Sequence, residues 1–82
     1  NPFNPHTSIR FTLASPARVR LMIFDVSGAR VRTLADVPMP AGEHHITWDG
    51  TNDRGRDLAS GAYFYRLEAN GVVEAKKLIL LR

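Results

Sequence analysis

The sequence predicts an all-β domain, a sandwich or barrel of about six or seven strands. Three observations carry that reading. Apolar and polar residues alternate at period two in one short run after another. Pro and Gly turn residues separate the runs at intervals of about ten residues. No stretch sustains a helical period.

The opening, Asn1-Pro2-Phe3-Asn4-Pro5, cannot start a helix. Each Pro fixes its own φ and pushes the residue before it toward extended geometry. It reads as the end of a linker, residues 1–6, with Phe3 as a peg into the adjoining domain. Thr7 to Leu13 then alternates, with Ile9, Phe11 and Leu13 on one face and Ser8, Arg10 and Thr12 on the other. That is a half-buried strand. Pro16 breaks it. Arg18 to Phe24 is the second strand. Val19, Leu21 and Ile23 line one face, and Met22 and Phe24 finish the other, so its far end is expected to be covered on both sides.

Asp25 and Gly28 mark a turn. The run Ala29 to Ala35 returns as a third strand, but Val31 and Leu34 are out of step with period two. A bulge or an early strand end accounts for that. Pro38 and Pro40 place the next segment in a loop. Glu43 to Asp49 is a fourth strand, with His44, Ile46 and Trp48 on one face. Trp48 is the largest apolar side chain and belongs in the core. A long polar connection comes next, with Gly50, Gly55 and Gly61 and room for a short strand over Asp57 to Ala59. Ala62 to Ala69 is a strong strand, with Tyr63, Tyr65 and Leu67 inward. Asn70-Gly71 is a hairpin signal. The last strand returns from it. Its period breaks at Lys76-Lys77, which leaves open whether Leu78 or Ile79 faces inward.

With 82 residues the chain is a single domain, near the lower limit for folding without staples. It has no Cys, hence no disulfide framework or thiolate metal site. No apolar run approaches the roughly 18 residues of a membrane helix. The apolar start of a secretion signal is also missing; if the parent protein is exported, that signal lies outside this segment. The net charge is +3. The basic residues are scattered among acidic ones, as on a solvated sheet face, and not gathered as for nucleic acid. An anionic surface such as lipopolysaccharide or an acidic polysaccharide fits the charge.

Chemistry is sparse. His44 and His45 point to opposite faces of a strand and cannot chelate one ion together. Asp49, Thr51, Asp53 and Asp57 fall at calcium-loop spacing, but Arg54 stands where such a loop needs Gly and Ser60 where it needs Glu. A turn built by Asp, Asn and Gly is the better reading. No nucleophile elbow, phosphate-binding loop or zinc-protease motif occurs, and no enzyme, metal or cofactor is expected. Phe64 points away from Tyr63 and Tyr65 and is a candidate ligand platform.

The landmarks "NPFNPHTSIRFTL", "VRLMIFDVSGARVRTL", "AGEHHITWDG", "SGAYFYRLEA" and "KKLILLR" occur in order. This series resembles the C-terminal sorting domains (type A) of the type IX secretion system and the related immunoglobulin-like domain of flagellar hook-capping proteins. The resemblance implies an immunoglobulin-like β-sandwich of about seven antiparallel strands over residues 7–82. It implies a non-catalytic address label on a secreted cargo such as a hydrolase. The label would be read by an outer-membrane translocon and cut by a sortase-like peptidase. The cargo would then reach the surface or medium of a Gram-negative bacterium through the periplasm, with anionic lipopolysaccharide as an attachment partner. The recognition candidates are Gly28, Asp49, Gly50, Gly61, Lys76, Lys77, Leu78, Ile79, Leu80, Leu81 and Arg82. A monomer is expected. The alternatives are a carbohydrate- or surface-binding module using Phe64, and a structural immunoglobulin-like spacer or assembly domain.

Overall fold

A computed structural model describes residues 6–82. The opening Asn1–Pro5, with Phe3, lies outside the described residues. Among the described residues six strands run in order: β1 (Thr7–Leu13), β2 (Ala17–Phe24), β3 (Arg30–Met39), β4 (Gly42–Trp48), β5 (Gly61–Ala69) and β6 (Val72–Leu80). They form a two-stranded sheet, β1-β4, and a four-stranded sheet, β3-β2-β5-β6, with every pair antiparallel. The all-β sandwich is therefore as expected, but with six strands in place of about seven. The segment expected to supply a short strand over 57–59 makes only an isolated bridge, Thr51 to Asp57.

The core lies between the sheets. Ile9, Leu13 and Trp48 descend from the small sheet onto Val19, Leu21 and Ile23 of β2, Tyr63, Tyr65 and Leu67 of β5, and Leu78 and Leu80 of β6. Trp48 is fully buried and meets Tyr63 edge-on, with ring centroids 5.3 Å apart. Burying the indole requires a partner for its N–H. The Thr51 carbonyl accepts it at 2.9 Å.

One sequence expectation changes. β3 runs on through Pro38 to Met39, where a loop was expected. It is an edge strand, so one side carries no ladder and a missing N–H is tolerated. The period break has the anticipated cause: the register on β2 slips at Leu34 and again at Val31, and both side chains pack against the core. The open question in β6 is also settled. Asn70 and Gly71 both have positive φ, the signature of a tight hairpin turn. The resulting register sets Leu78 opposite Tyr63. Leu78 and Leu80 face the core, and Ile79 is 55% exposed.

The outer face of the four-stranded sheet is not uniformly polar. Met22 is buried there, 4% exposed, and Phe24 is half-buried. The Arg20 guanidinium lies 3.9 Å from the Met22 sulfur. Phe24 stands opposite Phe64, which is the more open of the two.

Candidate functional site

The Asp25–Ala29 turn, the long 49–60 loop, the start of β5 and the tail meet at one end of the sandwich. The 49–60 loop is folded by its own side chains. Asp49 accepts from the Thr51 amide at 3.1 Å and from its hydroxyl at 2.6 Å. Asn52 accepts from the amides of Arg54 and Arg56 at 2.9 and 3.0 Å. Asp53 accepts from the Thr33 amide at 2.9 Å, and its own amide donates to the Val31 carbonyl, which stitches the loop to β3. Arg32 reaches from β3 to donate to the Thr51 hydroxyl at 2.6 Å and stands 3.8 Å from the Asp49 carboxylate.

These contacts answer the calcium-like spacing. Asp49 and Asp53 accept from Thr51 and Thr33 and share the Arg32 guanidinium at 3.8 and 3.9 Å, whereas Asp57 faces Arg82. Among the described residues no group of three acidic, His or Cys side chains converges as a metal cage. The histidines separate as the strand geometry requires. The His44 ring lies 2.8 Å from the Pro40 carbonyl and tilts over Phe11, whereas His45 faces Glu43 at 3.5 Å.

The tail is latched to the loop. Arg82 donates from its guanidinium to the carbonyls of Gly50 and Leu58, and its amide donates to the Ser60 hydroxyl at 2.9 Å. Its guanidinium also faces Asp57 at 3.4 Å. Leu80 is buried beside it, 2% exposed. Gly50 makes this approach feasible. A Cβ there would lie 2.8 Å from the Arg82 guanidinium and 2.9 Å from a Leu80 methyl, and φ is +78°. Gly61 pairs with Leu80, so the start of β5 borders the same surface.

The recognition candidates thus divide. Asp49, Gly50, Gly61, Leu80, Leu81 and Arg82 gather at this end, and Gly28 closes the neighbouring turn by donating to the Asp25 carbonyl at 3.0 Å. Leu78 and Leu80 are core residues, whereas Ile79 and Leu81 are exposed. Lys76 and Lys77 lie further along β6, opposite Tyr65 and Phe64. Lys76 pairs with Glu74 at 3.5 Å. Nothing in the sequence marks Arg32, Asp57, Leu58 or Ser60 as a residue that holds loop and tail in place. No local pattern could, because each acts on a residue about twenty positions or more away.

Two carboxylates are held below the ordinary carboxylate range. The Thr51 hydroxyl does this for Asp49, helped by the Thr51 amide and Arg32. The Ser27 hydroxyl does it for Asp25, helped by the amides of the turn. Both effects favour the ionised form, and both fix loops.

A comparison with known families matches residues 4–71 to the FlgD Ig-like domain. That span includes β1 to β5 and stops before β6. A comparison with curated proteins finds no match. The matched span covers most of the chain and agrees with the observed sandwich, so the chain belongs to the FlgD Ig-like domain family.

Proposed function

We propose that this domain is a non-catalytic C-terminal sorting module. It directs an attached cargo through a type IX secretion system to the cell surface or medium. The translocon reads the end built by the 49–60 loop and the tail. One observation carries the reading: Arg82 ties the tail to Gly50 and Leu58, so residues far apart in sequence form one composite surface. Exposed Ile79 and Leu81 border it and offer apolar contacts that the fold itself does not use. A sortase-like peptidase and anionic lipopolysaccharide are the further partners of this reading.

The test separates recognition from folding. Removing Lys76 to Arg82 would take Leu78 and Leu80 out of the core, so failed export would be ambiguous. Ile79→Asp with Leu81→Asp changes only exposed side chains. Placed behind a Sec signal and a fluorescent reporter, the parent domain is expected to reach the surface or medium. The double variant is expected to remain in the periplasm with its thermal unfolding unchanged. Normal export of the double variant would count against the reading.

A second reading is a structural or assembly domain, supported by the FlgD Ig-like match over residues 4–71. It predicts the same location for the reporter with or without a working translocon.

A further inference from the structure

The outer face of the four-stranded sheet carries a row that neither reading uses. The registers place Arg30, Phe24, Phe64 and Lys77 side by side across β3, β2, β5 and β6. Two aromatic side chains therefore lie between two cations, and the row spans about 14 Å at the usual strand spacing. Phe64 is 38% exposed and Val26, beside it, 74% exposed. Together with Ala75 they floor an open groove of about 340 Å³. Among the described residues, neither Arg30 nor Lys77 has an ion-pair or hydrogen-bond partner, whereas Arg66 at the groove is engaged by Glu68 at 2.9 Å. At the groove, Asp25 Oδ1 accepts from the Ser27 hydroxyl and from the amides of Ser27 and Ala29.

We infer that this face docks an acidic segment of a partner protein, with an apolar side chain on the Phe24–Phe64 floor and carboxylates against Arg30 and Lys77. Charge complementarity selects the sign of the partner, since the two free groups at the ends of the row are both cationic. The apolar floor selects a protein segment over a neutral glycan. A sugar would need polar partners for its hydroxyls, whereas the floor of Phe24, Val26, Phe64 and Ala75 offers none and Oδ1 of Asp25 already accepts within its own turn.

The whole chain can be tested by NMR titration with the blocked peptide Glu-Asp-Phe-Asp-Glu. Its mirror with Lys in place of each acid, the same peptide with Gly for Phe, and oligogalacturonate complete the set. The expected result is saturable shifts at the amides of Phe24, Phe64 and Lys77 with the first peptide. Affinity should fall roughly tenfold for either altered peptide, and fall again on adding salt. Arg30→Glu with Lys77→Glu, both exposed positions, should weaken binding by about tenfold or more while the spectrum stays folded. Phe64→Ala should do the same without altering the salt dependence. Equal binding of the charge mirror, shifts that map elsewhere, or no saturable binding would overturn the inference. Tighter binding of oligogalacturonate at the same residues would overturn it in favour of an anionic polysaccharide.

Discussion

The Arg82 guanidinium donates to the Gly50 carbonyl across 32 residues of sequence, and Gly50 leaves no room for a side chain on that side. Tail and loop therefore depend on each other. Gly50→Ala would combine two penalties. Its φ of +78° is unfavourable for any L side chain, and the new methyl would press on buried Leu80. We expect a loss of about 2–3 kcal/mol in urea unfolding. Gly55→Ala is the control. It has the same φ but open space around it, so only the backbone cost of about 1 kcal/mol should appear.

Arg82→Ala should cost about 1–2 kcal/mol, from the lost bonds to Gly50 and Leu58. Asp57→Asn should cost at most about 0.5 kcal/mol, because that pair is exposed on the Asp57 side. Arg82→Lys should not restore the parent value, since an ammonium cannot spread its donors over two carbonyls in the guanidinium geometry. Urea unfolding of the three variants checks the order. Equal losses at Arg82 and Asp57 would mean that the ion pair, and not the carbonyl contacts, holds the tail.

Trp48→Phe keeps a ring in the core but leaves the Thr51 carbonyl without its donor and a void where the indole was. A loss of about 2 kcal/mol is expected in urea unfolding. Hydrogen exchange should rise first in the 49–60 loop, whose entry the indole N–H fixes.

Acid should loosen the same loops. Asp25 and Asp49 both have folded pKa values below the ordinary 3.8. A group lowered on folding adds stability above its unfolded value and loses it as pH falls through the folded one. Stability should therefore decline below about pH 4, and Asp49→Asn should flatten that decline. A pH series of thermal unfolding for parent and variant gives the answer. An unchanged slope in the variant would mean that Asp49 does not carry the acid dependence.

Much of this fold is legible locally. Alternation marks β1, β2 and β5, and Asn70-Gly71 marks the last hairpin, because each depends on neighbours in sequence. The slips at Val31 and Leu34 could be anticipated for the same reason. Pro38 misled, since its cost depends on whether the strand lies at an edge, and only the sheet order shows that. Leu78 and Ile79 could not be separated until the hairpin register set Leu78 against Tyr63. The tail latch was invisible. Gly50, Leu58, Ser60 and Arg82 carry no shared periodicity, and only the folded chain brings them together.

Reporter localisation tests the proposed sorting role. The parent domain and its Ile79→Asp, Leu81→Asp variant should be compared in a host with a type IX system and in its translocon mutant. Parent signal is expected at the surface or in the medium of the first host, and periplasmic signal for the parent in the mutant and for the folded variant in both. Periplasmic retention of the parent in the intact host, or export that ignores the translocon, would rule out sorting by the translocon.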